Sequence, residues 1–180
     1  MRTLAYHEAT PGHHHQIAHS LENEDLTLYR RFGYGTSAFS EGWALYAERL
    51  ALEVGLAENP YDELGILQSE LFRSVRLVVD TGMHYKRWTR EEAMDYMKSI
   101  TGMSDTEVRV EIERYIVWPG QALSYKVGMI KMLELREKAK QELGDQFNIK
   151  DFHSAVLDHG NPPLFIVEKM IDKMISDAKS

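Results

Sequence analysis

Residues 59–82 read NPYDELGILQSELFRSVRLVVDTG, and apolar side chains recur there three or four residues apart. This is the spacing of one face of an amphipathic helix. The side chains that form the face are Leu64, Leu67, Leu71, Val75 and Val78. Asn59 is a favoured N-cap residue, and Pro60 suits the first helical position. The segment therefore predicts a long helix from Tyr61 to about Gly82.

Helical signals continue after this segment. Two capping boxes, Thr89–Glu92 and Ser104–Glu107, each predict the start of a short helix. A Trp-Pro-Gly break at 118–120 precedes a helix over 121–143, which Gly144 closes. The sequence Asn-Pro-Pro at residues 161–163 opens a last amphipathic helix.

Only two short runs have the β-branched, apolar character of a strand. They are residues 76–79 and 115–118, and both lie within helical periodicity, so we assign them to helices. No internal repeat or Gly/Ser linker divides the chain. The sequence therefore predicts an all-α fold with a single helical domain over residues 1–180.

The composition excludes several classes of protein. The 180 residues are 43% hydrophobic and 27% charged, which is typical of one globular domain. The net charge of -7 argues against nucleic acid as a partner, and no apolar run is long enough to cross a membrane. There is no cysteine, which excludes disulfides and thiolate metal sites. The first residues lack the apolar core of a signal peptide, and the compartment, cytoplasmic or periplasmic, stays open.

Histidine is concentrated near residue 1, where the segment Tyr6–Gln16 reads YHEATPGHHHQ. Five of the eight histidines lie in the first 20 residues: His7, His13, His14, His15 and His19. Zinc peptidases commonly place two histidines four residues apart on a helix, with a glutamate directly after the first one. Glu8 follows His7 in this way. We therefore expect Glu8 to be the general base that activates a metal-bound water.

The spacing after His7 departs from that pattern. The fourth residue along is Pro11, which cannot bind metal, and His13 and His14 cannot join His7 on an undistorted helix. Pro11 breaks the hydrogen-bond ladder, and Gly12 permits unusual backbone dihedrals. A bulge of two residues would bring His13 to the position of the second ligand, with His14 as the alternative for a smaller bulge. An exposed histidine-rich helix without a function is the other interpretation.

A second segment with candidate metal-binding residues, Phe39–Glu48, reads FSEGWALYAE. A catalytic zinc has three protein ligands and one open position. Glu41 would complete such a set with His7 and His13 if this second helix packs against the first. Glu48 lies seven residues further on the same face and has two interpretations. It either orients a histidine ligand by accepting its second N–H group, or it lies at the surface, as most glutamates do.

These segments resemble the bacterial family known as domain of unknown function 885. The resemblance runs in order through the chain and rests on five motifs: His7–Gln16, Glu41–Glu48, Arg76–His84, Arg114–Lys126 and Phe152–Gly160. That family is similar to the gluzincin metallopeptidases, which use a His-Glu-x-x-His helix and a downstream glutamate ligand. The resemblance implies a zinc peptidase with one zinc ion and a peptide substrate. Manganese, cobalt or iron would also suit this ligand set.

By the same resemblance, residues from later helices would complete the site. Tyr125 and His153 would donate hydrogen bonds to the oxyanion that forms during peptide hydrolysis. Arg114 and Lys126 would pair with a substrate carboxylate. For each of these residues an ordinary structural role is the competing interpretation, such as a core tyrosine or a surface ion pair.

Members of that family are longer than this chain, which resembles their C-terminal part. We therefore expect self-association, or pairing with an N-terminal segment that supplies the other wall of a cleft. A non-catalytic helical scaffold, or a partner-binding half-domain with an incomplete metal site, is the alternative function. A di-iron bundle is disfavoured, because it would require Glu-x-x-His pairs on two helices and the chain has none.

Overall fold

The computed structural model describes residues 2–33 and 35–180, and it confirms the all-α prediction. These residues form ten α-helices, and no strand occurs among them. The helices are α1 Arg2–Glu8, α2 His13–Glu22, α3 Leu28–Phe32, α4 Ser37–Glu53, α5 Pro60–His84, α6 Arg90–Thr101, α7 Asp105–Val117, α8 Gln121–Leu143, α9 Ile149–Leu157 and α10 Leu164–Ala178. A single 3₁₀ turn, Gly144–Gln146, follows α8.

The helix ends follow the local signals in the sequence. The side chain of Asn59 accepts hydrogen bonds from two backbone N–H groups at the start of α5. Both capping boxes form as predicted, at the starts of α6 and α7. Gly144 takes a positive φ of 51° where α8 ends, which a residue with a side chain adopts only with strain. The two strand candidates also lie in helices, since residues 76–79 are inside α5 and residues 115–117 end α7.

The centre of the molecule is the contact between α4 and α8. The helices approach so closely that a Cβ atom on Gly128 would lie 1.9 Å from the backbone oxygen of Ala38. A Cβ on Gly42 would lie 2.5 Å from the Cα of Gly128. Only glycine permits this separation, which buries nearly the whole inner surface of α4. Helix α4 is therefore a rigid support for the side chains it presents to α1 and α2.

Two apolar clusters fill the interior. The first joins α4, α8, α9 and α10, with Phe39, Tyr46 and Phe152 among its fully buried members. The second joins α5, α6, α7 and the start of α8, around Val79 and Ile112. Helices α1 and α2 both pack against α4. Within the part of the chain that the structure describes, no helix is long and apolar enough to cross a membrane.

Candidate metal centre

The segment after His7 is a break between two helices and not a bulge within one. Helix α1 ends at Glu8, the Thr10–Pro11 peptide bond is cis, and α2 begins at His13. Gly12 packs so closely on α1 that a Cβ atom there would lie 1.8 Å from the backbone oxygen of His7. The predicted bulge is therefore wrong in form. The break still brings His13 next to His7, and a ligand role for His13 stays a prediction.

A hydrogen bond from α4 fixes this break. The indole Nε1 of Trp43 donates to the backbone oxygen of Pro11 over 2.8 Å. Trp43 is buried and lies two residues beyond Glu41 on the same helix. The tryptophan thus ties the turn that carries His13 to the helix that carries Glu41. This role was not predicted, and the only signal for it in the sequence is the position of Trp43 two residues after Glu41.

His7, His13 and Glu41 form a compact cluster. Their ligand atoms all lie within 4.8 Å of one another, and the two imidazole rings meet edge to face with centroids 4.9 Å apart. Nε2 of His13 lies 3.1 Å from Oε2 of Glu41, and Nε2 of His7 lies 3.6 Å from the same oxygen. Among the described residues this is the one group of at least three histidine or carboxylate side chains with such spacing.

Glu48 contacts His7 on the ring nitrogen that faces away from Glu41. Its Oε1 lies 2.6 Å from Nδ1 of His7, and its side chain is almost completely buried. The interpretation of Glu48 as a surface residue is therefore wrong, and its role in orienting a histidine ligand stays a prediction. Because an ionised carboxylate only accepts hydrogen bonds, Nδ1 of His7 carries a proton and donates it to Glu48. Nε2 is the ring nitrogen that faces Glu41, and it would offer its lone pair to a metal ion that takes the place of the proton there.

The charges of the cluster suit a cation. Burial opposes ionisation of Glu41, but the hydrogen bonds from His13 and His7 outweigh it and lower the pKa of Glu41 to about 2. Burial likewise opposes protonation of His7, but its hydrogen bonds to Glu41 and Glu48 raise its pKa above the ordinary value. The carboxylates of Glu41 and Glu48 thus lie beside the imidazoles of His7 and His13, and their negative charge favours the binding of a cation between these side chains. The nitrogen and oxygen donors, with one histidine held by a second carboxylate, match the ligands of a catalytic zinc.

Tyr125 lies directly beside this cluster. Its ring stacks on that of His7 with centroids 6.0 Å apart and planes 21° from parallel, and the residue is buried. The amide nitrogen of Gln121 lies 3.3 Å from the Tyr125 hydroxyl. The guanidinium of Arg76 lies over the tyrosine ring, with Cζ 4.2 Å from the ring centroid. Tyr125 is therefore near the candidate metal centre, and its role as a donor to an oxyanion stays a prediction.

His153 belongs to a separate hydrogen-bond chain on α4, α8 and α9. Nη1 of Arg136 donates to the Tyr46 hydroxyl over 3.0 Å, and that hydroxyl donates to Nε2 of His153 over 2.8 Å. Burial, followed by the charge of Arg136, lowers the pKa of His153 to about 4. His153 also packs edge to face on Trp43, which is its link to the turn at Pro11. The ring is neutral at neutral pH, and a catalytic role for it stays a prediction.

The remaining predicted residues lie outside the cluster. Glu8 is exposed at the end of α1, directly after His7. Lys126 already forms a 2.7 Å ion pair with Glu70. Arg114, on α7, lies over the ring of Trp118, the residue that follows this helix. Arg114 is not part of the cluster of His7, His13 and Glu41. Substrate contacts of Arg114 and Lys126 stay predictions, and Lys126 would first have to leave its glutamate.

The other histidines of the first segment lie outside the cluster. His14 and His15 are exposed on α2, and no carboxylate lies within ion-pair distance of either of them among residues 2–33 and 35–180. His19 lies 2.6 Å from Asp158, at the end of α9. The structure thus groups His13, rather than His14, with His7 and Glu41.

Fold and cluster together define an all-α protein with a candidate two-histidine, one-glutamate metal centre. The chain belongs to the family described as bacterial protein of unknown function (DUF885), whose model matches residues 1–171. No curated protein matches the chain.

Two solved structures are similar to the chain. The first is described as "the putative lipoprotein from Colwellia psychrerythraea", with 52% sequence identity over 98% of this chain and a TM-score of 0.93. The second is described as "a putative lipoprotein of unknown function from Shewanella oneidensis", with 30% identity over 94% of this chain and a TM-score of 0.86. The chain spans 30% of the length of the first protein and 31% of the second. The helical arrangement described above is therefore shared with about a third of each of these longer proteins.

Proposed function

We propose that the chain carries the metal-binding core of a zinc-dependent hydrolase of peptide bonds. The observation that carries the proposal is the convergence of His7, His13 and Glu41, with the buried Glu48 behind His7. A separate carboxylate that fixes the proton of a histidine ligand is a recurrent feature of zinc sites. A buried carboxylate in this position would have no evident use in a surface cluster that binds no metal. Zinc suits this mixed nitrogen and carboxylate set, and three protein ligands leave one position open.

Each residue would make a distinct contribution to hydrolysis. His7, His13 and Glu41 would hold the ion, which when bound supplies a Lewis acid that polarises the scissile carbonyl. Glu8, exposed and directly after His7, would take a proton from the attacking water and pass it to the leaving amine. Glu48, hydrogen-bonded to Nδ1 of His7, would keep His7 in the tautomer that binds metal through Nε2. Tyr125 would lie within the same region as a donor to the developing oxyanion.

The test is hydrolysis of a peptide library by the zinc-loaded chain and by Glu8→Gln. Since Glu8 is not among the ligands, the variant should keep the parent zinc content and lose at least about a hundredfold in rate. Glu22→Gln is the matched control, because Glu22 is an exposed glutamate at the end of α2. If Glu8→Gln hydrolysed peptides as fast as the parent chain, the assigned mechanism would be wrong.

A metal-binding scaffold without turnover is the second candidate. It is favoured by the exposure of Glu8, which has no hydrogen-bond partner among the described residues to position it as a base. The chain would then bind zinc and cleave no peptide, whether or not Glu8 is present. A hydrolysis rate that depends on Glu8 would exclude this candidate.

A further inference from the structure

Helix α5 holds the start of α8 at two adjacent points. The backbone N–H of Gly120 donates to the carboxylate of Asp80, with its nitrogen 3.1 and 3.2 Å from the two oxygens. One residue further on, the side-chain oxygen of Gln121 accepts from Nη2 of Arg76 over 3.0 Å. Arg76 and Asp80 lie four residues apart, so they project from the same face of α5. The first residues of α8, one turn before Tyr125, are therefore fixed relative to α5.

Aromatic rings hold the guanidinium of Arg76 in place. The residue is 3% exposed, and its Cζ lies 5.5, 5.1 and 4.2 Å from the ring centroids of Phe72, Tyr115 and Tyr125. The negative faces of such rings stabilise a cation that lies over them. A guanidinium is always protonated and has only hydrogen-bond donors. Arg76 therefore presents a fixed donor to Gln121.

This donor decides the orientation of the Gln121 amide. The oxygen and the nitrogen of a glutamine amide have nearly the same shape, but only the oxygen can accept a hydrogen bond from Arg76. The amide nitrogen is then directed to Tyr125, and it lies 3.3 Å from the tyrosine hydroxyl. Since an amide NH₂ group only donates, the oxygen of the Tyr125 hydroxyl is the acceptor.

The hydroxyl proton of Tyr125 has no use in this network. A hydroxyl carries a single proton, which points away from any N–H group that donates to the same oxygen. Among residues 2–33 and 35–180, the Tyr125 hydroxyl forms no hydrogen bond other than the one from Gln121. The tyrosine is only 7% exposed, and its ring stacks on that of His7. An O–H donor without an acceptor thus lies beside the candidate metal centre.

We propose that Arg76, acting through Gln121, sets the direction of the Tyr125 hydroxyl proton and keeps it available for a substrate oxygen at the metal centre. Arg76 and Gln121 are positioning residues, since neither belongs to the ligand cluster and each acts on the next side chain. A donor with a preset direction stabilises a developing oxyanion well, because no group has to turn during the reaction. The inference rests on the proposed function, which gives the Tyr125 proton its use.

NMR of the metal-free chain tests the orientation of the amide. In the parent chain we expect nuclear Overhauser contacts between the side-chain amide protons of Gln121 and the ring protons of Tyr125 next to its hydroxyl. Gln121→Glu, which lacks these amide protons, identifies the signals. Arg76→Met removes the fixed donor, so the amide can take both orientations and the contacts should fall to about half. Absence of the contacts in the parent, or contacts of parent strength in a folded Arg76→Met chain, would overturn the proposal.

Gln121→Glu tests the consequence for catalysis, because it reverses the hydrogen bond to Tyr125 and keeps the shape of the side chain. A carboxylate paired with Arg76 only accepts, so the tyrosine hydroxyl has to donate to it. In the zinc-loaded chain, kcat for peptide hydrolysis should fall at least about tenfold, with KM nearly unchanged. Stability in urea should not fall, because an ion pair replaces a neutral hydrogen bond. Gln141→Glu, the same change at an exposed residue of α8, is the matched control and should keep the parent kcat.

A double variant shows whether Gln121 acts through Tyr125. Tyr125→Phe removes the hydroxyl, so the addition of Gln121→Glu should lower kcat no further. Additive losses, or a parent-like kcat in Gln121→Glu, would contradict the assignment, since a residue that serves folding alone leaves kcat unchanged. Failure of the proposed hydrolase is seen separately, in the hydrolysis rate of Glu8→Gln. The NMR measurement requires neither zinc nor peptide, so it decides the role of Arg76 even in a chain that hydrolyses nothing.

Discussion

Replacement of Glu48 by glutamine tests whether the buried carboxylate behind His7 serves the metal centre. Glutamine has the same shape and can still accept the Nδ1 proton of His7, but it carries no charge. The 2.6 Å contact in an almost fully buried place makes this charge effective, since little water screens it. Loss of an orienting partner typically costs about 10–100-fold in metal affinity. We expect Glu48→Gln to be near the lower end of that range and Glu48→Ala near the upper end.

The assay is competition for zinc between the chain and a chromophoric chelator at pH 7. Glu53→Gln is the control, because Glu53 is on the same helix and pairs with Arg136, far from His7 along α4. The control should bind zinc as the parent chain does. Parent-like zinc affinity in both Glu48 variants would refute the reasoning, because it would show that His7 needs no partner to present Nε2.

Three further predictions concern the scaffold, and urea unfolding of the metal-free chain checks each of them. Gly128→Ala should cost at least about 2 kcal/mol, because its Cβ would lie 1.9 Å from the backbone oxygen of Ala38; Gly65→Ala, where Thr3 alone is near, should cost far less. Thr89→Ala removes the cap of α6 and should cost about 1 kcal/mol. Burial lowers the pKa of His153 from 6.5 to about 4, so the folded state resists protonation. That contribution is complete above pH 6.5 and is lost as the pH falls towards 4; the parent chain should lose about 2 kcal/mol more than His153→Gln between pH 7 and 4.5. Equal losses in the two chains would contradict the buried neutral histidine.

The fold was largely predictable because its signals are local. Each of these signals acts within one helical turn, whether it is a capping box, a proline after asparagine or a glycine after a long apolar stripe. The helix starts at Asn59, Thr89 and Ser104 could therefore be predicted from the neighbouring residues alone. The close contact of α4 with α8 could not be read in this way. Gly42 and Gly128 are 86 residues apart in sequence, and the residues near either glycine do not predict that the two will be in contact.

The candidate site was predictable in part for the same reason. The pair His7-Glu8 and the later Glu41 follow a known arrangement of residue types, and the structure brings His7, His13 and Glu41 together. The burial of Glu48 depends on how α1 packs across α4, which a single sequence does not encode locally. Pro11 and Gly12 predict a break after His7, but they do not decide between a bulge and the two separate helices that form there.

Zinc content is the most direct test of the central claim, that His7, His13 and Glu41 bind one metal ion. Elemental analysis of the untagged chain after incubation with zinc and removal of the excess should give about one zinc per chain. Glu41→Ala should lose it, and His14→Ala should retain it, because His14 is exposed on α2 and outside the cluster. A parent chain without zinc, or a Glu41→Ala variant with the parent's zinc content, would contradict the account.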